Sequence, residues 1–564
     1  MEKARDGYAH ATTEHRDGDI FGWLADPPTD RGLRFADETG TGWTFCPYAR
    51  LAELARAAAG RLYGAGVRAG DVVPIVCPTS PTFVAAFYGA LLLGATPSAL
   101  APPTAYGEPE GYAAHLDRVL RLARARVMVA APEVARVVAG PAARYGCAVL
   151  SDLDAADGTF PGQEPGEIAI LQFSSGSTGP QRGVRVPHRA LRTNISAIRD
   201  WLSYDPHDAM VSWLPLHHDM GLVGCLLMPM AAASDVWLMR PEQFVRTPGR
   251  WLHPFAASGA STAVTPTFGL AHLIRRIRPA DLAGMDLRGW RTLIVGAEPV
   301  HAGVLDDLVR LLGPAGFAAD AVLPAYGLAE ATLAVAGRRH GTALRAVRVA
   351  PTSLYPGKPV TLAEGPDGSD VTLVGCGPPL RDVRVDIVGE DGRPVEAGVL
   401  GEIELRGGSV AAGYVADEGE GSFDGVIRTG DAGFLLDGEL FVVGRLGDSV
   451  KRFGRWLFAE DLDRVAAARS PRPRKTVVLL GDLDGRVTAV VAVEGDLGDA
   501  AERIGRSVAN HAAQVEVQVR SVPAGWIART TSGKPRRRLM WQRVLEERAG
   551  TVHWQSADHR PEGK

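Results

Sequence analysis

The sequence predicts an α/β protein with a large N-terminal body of mainly parallel sheets, a β-rich subdomain and a small, mobile α+β C-terminal domain. Three observations point there. Strand and helix patterns alternate to about residue 335, as βαβ units require. Beyond Gly375 short strands separated by turns such as Glu390-Asp-Gly392 and Leu436-Asp-Gly438 read as hairpins. A last unit with its own strands and helices begins near residue 447.

The elements follow in order. Residues 1–18 read as a tail, 19–446 as the large domain and 447–564 as the small one. Leu51, Leu54, Ala55, Ala58 and Leu62 keep helical spacing between Pro47 and Gly64, and a glycine-rich stretch ends that helix. Strands are expected at Val72–Cys77, Val127–Ala130, Ile168–Phe173, Met210–Trp213, Asp235–Met239 and Thr292–Val295. The apolar run Phe83–Ala95 is too short to span a bilayer and reads as a buried helix. Residues 340–372 are loop-rich and read as an insertion before the β-rich subdomain at about 375–446. Val383–Val388, Gly401–Arg406 and Glu439–Val443 are its strands. In the last unit, strands are expected at Lys475–Leu480 and Val487–Val493, and a helix at Ala500–Ala513.

Composition narrows the class. The chain has 564 residues, 46% apolar and 22% charged, and its length suggests about three or four domain-sized units. With 61 basic and 65 acidic residues the net charge is −4. Neither nucleic acid nor an anionic membrane is indicated. Cys46, Cys77, Cys147, Cys225 and Cys376 form no CxxC pair. They fit reduced thiols without a disulfide framework or zinc site. Met1–Asp6 is charged and lacks the apolar core of a signal peptide, so a cytoplasmic setting is expected.

Four motifs carry chemistry. In the first, the strand Ile168–Phe173 runs into a loop of small and hydroxylated residues. Ser174, Ser175, Ser177 and Thr178 offer hydroxyl donors. Gly176, Gly179 and Gly183 allow backbone N–H groups to approach phosphate oxygens. Arg182 adds a permanent cation. The loop is not a Walker A sequence, because the Gly-Lys-Ser/Thr ending is missing. Taken alone, it is also what a flexible Gly/Ser surface loop looks like. The second motif is Ala325–Thr332. There Gly327 suits a tight turn after a strand, and Glu330 is placed near the start of a following helix, either as a Mg²⁺ ligand or as a simple helix N-terminal acid. The third is Arg428–Gly433 followed by Gly444–Asp448. Asp431 suits a ribose diol or an ordinary Asp-rich turn; Arg445 suits ribose or phosphate, with Asp448 as a partner. The fourth is Arg529–Lys534, next to the basic run Arg536–Arg538, which reads as a solvated basic face or a nucleic-acid patch.

All four in one chain, in this order, resemble the adenylate-forming superfamily of acyl-CoA synthetases, peptide-synthetase adenylation domains and luciferases. The resemblance covers about residues 30–545. Ser212–Gly224 (Ser-Trp-Leu-Pro-Leu-His-His-Asp-Met-Gly-Leu-Val-Gly), Gly296–Val300 and the Leu-Ala-Glu-Ala-Thr form at 328–332 are most similar to fatty acyl-AMP ligases. The resemblance implies ATP and Mg²⁺, with coenzyme A or a phosphopantetheinyl carrier protein as acceptor. It implies that Ser174–Arg182 closes over the β- and γ-phosphates and that Glu330 helps hold Mg²⁺. Asp431 and Arg445 would bind ribose. Gly296, Ala297, Glu298, Pro299 and Tyr326, with Gly327, would form the adenine slot, and Lys534 would reach both the carboxylate and the α-phosphate. His218 is implied at the mouth of the acyl pocket, with Thr267, Phe268, Leu270 and Leu328 as candidate walls. Gly447 stands where relatives place a hinge, and Gln181-Arg182 replaces the usual Pro-Lys. A metal site at His217, His218 and Asp219 is not expected, because adjacent side chains point apart in regular structure and no third ligand follows.

The implied activity is activation of a carboxylic acid as acyl-AMP with release of pyrophosphate, then transfer to a phosphopantetheine thiol. A carrier protein is favoured as acceptor. The alternatives are a coenzyme A ligase for a non-fatty biosynthetic acid and, from another class, a catalytically silent nucleotide- or carrier-binding module.

Overall fold

The computed structural model describes residues 18–103, 109–153, 160–161, 165–173, 182–350, 353–363, 370–416, 419–452, 455–483, 486–512, 515–530, 533–546 and 550–556. Residues 1–17 of the expected tail and the loop Ser174–Gln181 lie outside the described residues.

Strands Val72–Val76, Thr96–Ala99, Val127–Ala130 and Ala148–Leu150 form a wholly parallel sheet. The central strands, Val72–Val76 and Val127–Ala130, are near-continuous runs of buried residues, as strands covered on both faces must be. The helix Pro81–Leu92 is buried along its length from Phe83, which explains its unbroken apolar run. The Ser80 hydroxyl caps it by accepting from the Phe83 N–H at 3.3 Å. No helix among the described residues is long and apolar enough to cross a membrane.

A second sheet has eight strands. Five inner pairings, from Gly32–Ala36 across to Val322–Gly327, are parallel. Trp43–Pro47 and Ala334–Gly337 close its two ends antiparallel. The loops at the ends of Ala209–Ser212, Thr262–Thr265, Thr292–Val295 and Val322–Gly327 all lead to one cleft, the usual place for a ligand in such sheets.

The third sheet departs from the sequence reading. Ile168–Phe173 pairs antiparallel with Gly183–Pro187. That strand then pairs with Gly413–Ala416, which continues to Gly419–Ser422. A parallel return needs a crossover of about a dozen residues or more, and the link at 174–182 is too short for one. The strands at 413–422 thus join this sheet rather than the hairpin sheet made by Val383–Val388, Gly401–Gly407, Val426–Leu436 and Glu439–Arg445.

Beyond residue 447, Thr476–Leu483, Arg486–Glu494, Glu516–Val522 and Thr551–Gln555 form a separate mixed sheet. It is flanked by helices Ala459–Arg469, Ala500–His511 and Arg537–Leu545 and has apolar clusters of its own. The run Arg536–Arg538 is not a uniform surface patch. Arg537 is buried and bonds Asp448 (3.1 Å), Glu460 (3.2 Å) and Asp463. An isolated guanidinium is too costly to bury, so three carboxylates gather around it.

Candidate active site

A cavity of about 1770 Å³ lies between the large body and the last unit. Residues from all four sequence motifs line it.

On the first wall, strand Val322–Gly327 carries Tyr326 into the cleft. The Tyr326 hydroxyl donates to Asp431 Oδ2 at 2.6 Å. Asp431 faces Arg445 directly across the hairpin, and Arg445 Nε donates to Asp431 Oδ1 at 3.0 Å. Gly430, with φ of 72°, makes the preceding bend that a side chain would strain. Asp431 is 7% exposed and spends both oxygens on fixed partners. Its charge is the leading cause that raises the Arg445 pKa. Burial, then Asp431, pushes the Tyr326 phenol well above its ordinary range. Arg445 does not pair with Asp448 as expected; Asp448 faces Arg537 instead.

Glu330 is not at the start of a helix. It sits in a single 3-10 turn, Ala329–Ala331, and the chain then returns as strand Ala334–Gly337. The reason is the hairpin itself: the Leu328 N–H donates to the Leu333 carbonyl at 2.8 Å and closes the turn. Gly327 is required by close approach rather than by a turn, since a Cβ there would lie 2.0 Å from the Leu333 oxygen. Glu330 Oε1 accepts from the Tyr414 hydroxyl at 2.6 Å. The Arg182 guanidinium lies over the Tyr414 ring, 5.1 Å from its centroid. Tyr414 is a site residue that sequence reasoning missed. Its position depends on the pairing of Gly413–Ala416 with Gly183–Pro187, for which no local signal exists.

The second wall holds Gly296–Pro299, where Ala297 adopts a φ of 66°. Glu298 accepts from the Phe268 N–H, and burial raises its pKa. Phe268 and Leu328 line the cavity. Thr267 and Leu270 do not; both are buried in the core, and the Thr267 hydroxyl donates to the Pro299 carbonyl at 3.1 Å. Consecutive residues of a helix, at about 3.6 per turn, point roughly 100° apart, which lets Thr267 face the core while Phe268 faces the cleft.

The third wall is the segment 213–221. His218 is enclosed, and burial, then the neighbouring Lys534 charge, lowers its pKa to about 4. Asp219 caps the π-helical stretch Met220–Leu227 by accepting from the Met220 N–H at 2.8 Å. Such stretches often mark functional sites. The rings of His217 and His218 lie 5.0 Å apart because the segment is a turn, not regular structure. Among the described residues no group of three His, Cys, Asp or Glu side chains could hold a metal.

Lys534 enters from the last unit. The Thr530 N–H donates to the Lys534 carbonyl at 2.7 Å, and the Lys534 N–H donates to Thr530 Oγ1 at 3.0 Å, which closes its loop. Its charge acts on His218, Asp219 and Glu298. Lys534, Glu330, Asp431 and Arg182 thus line one cavity. Ser174, Ser175, Gly176, Ser177, Thr178 and Gly179 lie outside the described residues, between Phe173 and Arg182, which both line it.

Residues 29–415 match the family of AMP-binding enzymes. The medium-chain-fatty-acid–[acyl-carrier-protein] ligase JamA of Moorena producens is 32% identical over 408 residues, 67% of this chain and 68% of the relative. The long-chain-fatty-acid–AMP ligase FadD26 of Mycobacterium tuberculosis is 31% identical over 527 residues, 85% of this chain and 88% of the relative. A solved chain from work on fatty acyl-adenylate ligases of E. coli and L. pneumophila superposes with a TM-score of 0.85 at 28% identity, over 94% of this chain and 98% of that one. With that extent of agreement in sequence and fold, the chain belongs to the AMP-binding enzyme family, among relatives named as fatty-acid–AMP, acyl-carrier-protein and fatty-acid–CoA ligases.

Proposed function

We propose that this adenylate-forming ligase activates a fatty or related carboxylic acid as acyl-AMP and then passes the acyl group to a phosphopantetheine thiol, a carrier protein being favoured over free coenzyme A. The supporting observation is the position of Lys534. Its loop is anchored in the last unit, yet it reaches the cavity shared by Glu330, Asp431 and His218.

The chemistry joins two anions. A carboxylate oxygen attacks the α-phosphorus of ATP, the new C–O–P bond forms, and the bond to the β-phosphate oxygen breaks to release pyrophosphate. The barrier is largely repulsion plus charge growing on the leaving group. Lys534 supplies a cation to the carboxylate and the α-phosphate. His218, neutral at pH 7, borders the acid without adding charge. Asp431, oriented by Tyr326 and Arg445, would accept from the ribose diol. Gly296–Pro299 and Tyr326 flank the adenine. Ser174–Gly179 and Arg182 would hold the β- and γ-phosphates. Glu330 suits Mg²⁺, which favours one or two carboxylates plus substrate phosphates; one of its oxygens is oriented by Tyr414. That ion supplies charge neutralisation on the departing phosphates.

In the second half-reaction the thiol sulfur attacks the acyl carbon and AMP leaves. We read 447–564 as a unit that rotates about Gly447 to withdraw Lys534 and admit the thiol. The name of JamA supports a carrier protein as acceptor.

Pyrophosphate exchange against a panel of acids tests the reading. Lys534→Ala is expected to lower exchange by about 10²–10³-fold, with a smaller loss in thiol transfer from supplied acyl-AMP. Undiminished exchange in that variant overturns the assignment. Silence with every acid in the wild-type enzyme favours a binding module.

A further inference from the structure

Lys534 has to be aimed. Its flexible stem gives the ammonium no direction of its own, and the stretch before it, Thr531-Ser-Gly533, is made of small residues. The Thr530–Lys534 bonds, the Gly533 N–H donating to the Thr530 carbonyl at 2.8 Å and the pairing of Arg529 with Pro535 all lie within 529–535. They shape the loop without setting where it points. Arg529 reaches further. Its Nη1 donates to the carbonyl of Gly533, directly before Lys534, at 2.9 Å. Its Nη2 donates at 2.9 Å to the Arg474 carbonyl, in the 3-10 turn Pro473–Lys475. The path continues into the large body. Arg474 Nη2 donates to the Phe268 carbonyl at 3.4 Å, and the Phe268 N–H is held by Glu298. Gly533 approaches the same residue: a Cβ on it would lie 3.8 Å from Phe268 Cε1.

We infer that Arg529 is a positioning residue for adenylation: it holds the loop against the turn at Pro473–Lys475 so that the Lys534 ammonium meets the reacting anions. The inference rests on the adenylation reading of Lys534 and deepens it. A guanidinium suits the task because its donors lie in one rigid plane, so two acceptors on different segments are held at a fixed separation. A lysine offers the same charge without the fork. Both acceptors are main-chain carbonyls, so these two bonds fix geometry rather than neutralise an acid. Geometry is what the step demands, since a misplacement of about 1 Å costs on the order of 10²-fold in rate. Arg529 also lines the cavity, and direct contact with a substrate phosphate is the competing role. Both Nη groups are already engaged by the backbone, which favours action through Lys534.

The test is a double-mutant cycle on the full-length enzyme, read as kcat and KM of pyrophosphate exchange. Arg529→Ala is expected to lower kcat by about ten- to a hundredfold with little change in the KM for ATP. In a Lys534→Ala background the same substitution is expected to cause no further loss, because a residue that acts only through Lys534 has nothing left to aim. Misfolding lowers both backgrounds alike, so a loss confined to the enzyme that keeps Lys534 is not a stability effect. Arg529→Lys, which keeps the charge and not the fork, is expected to recover only part of the rate. Wild-type kcat in Arg529→Ala overturns the inference, as does a full rate in Arg529→Lys or an equal loss with and without Lys534; the ligase reading stands in each of these cases. Exchange with no acid in the wild-type enzyme, or undiminished exchange in Lys534→Ala alone, overturns the reading of Lys534 and this inference together.

Discussion

Arg537 shows how much one buried side chain can set. Its guanidinium bonds Asp448 and Glu460 through Nη1 and Asp463 through Nη2, all close to the start of the last unit. Breaking a buried pair strands the surviving charges, so Arg537→Ala is expected to destabilise this unit by about 3–5 kcal/mol, read by denaturant unfolding. Three carboxylates around one cation leave an excess of negative charge. Burial, reinforced by Asp448 and Asp463 and opposed by Arg537, pushes Glu460 up to about 7. A carboxyl whose folded pKa is raised keeps its proton longer in the folded state than in the unfolded one. Its contribution is present below the ordinary value of 4.5 and is lost as pH rises toward about 7. Glu460→Gln is therefore expected to flatten the fall in thermal stability across that window and to raise stability above it. A wild-type melting temperature that rises steadily from pH 5 to 8 in a manner unchanged by Glu460→Gln contradicts this.

At the scale of an element, the hairpin Val322–Gly327 and Ala334–Gly337 carries both Tyr326 and Glu330. Its closure depends on the close approach at Gly327. Gly327→Ala forces a methyl group onto the Leu333 carbonyl. The expected outcome is a loss of about 1–3 kcal/mol in stability, with a raised KM for ATP because both side chains shift together. A thermal melt and an ATP titration of pyrophosphate exchange check it. The element scale also shows where sequence periodicity misled. Ile168–Phe173 has the composition of a buried parallel strand, yet it pairs backwards with Gly183–Pro187. Direction is set by loop length and by which partner lies alongside, and neither is written in the strand. Glu330 was misplaced for a similar reason: an acid after a glycine reads as a helix start, but the Leu328–Leu333 hydrogen bond turns the chain back into a strand.

At the scale of the whole molecule, the site exists only where the last unit meets the large body. Lys534 belongs to one and Glu330, Asp431 and His218 to the other. If one position of the last unit serves adenylation and another serves thiol transfer, the joint must bend. Gly447 lies in the 3-10 turn Leu446–Asp448 with Asp448 tied to Arg537, so bending falls on the residues just before that anchor. Gly447→Pro is expected to keep most acyl-AMP formation and to lower transfer to the thiol more than about tenfold. Equal losses in the two half-reactions, measured separately, contradict the rotation.

The motifs themselves were legible along the chain. Apolar runs, glycines beside hydroxyls and acids after turns report local backbone preference and local chemistry, and each motif occupies a contiguous stretch. The buried helix Pro81–Leu92 and the hairpin strands beyond Gly375 followed from the same local signals. What the chain alone left open were contacts between distant stretches: Tyr414 against Glu330, Arg537 rather than Arg445 against Asp448, and Thr267 turned into the core against Pro299. Each depends on sheet register or on the packing of one unit against another. Those are decided by the summed burial of hundreds of side chains, and no short window of sequence carries that sum.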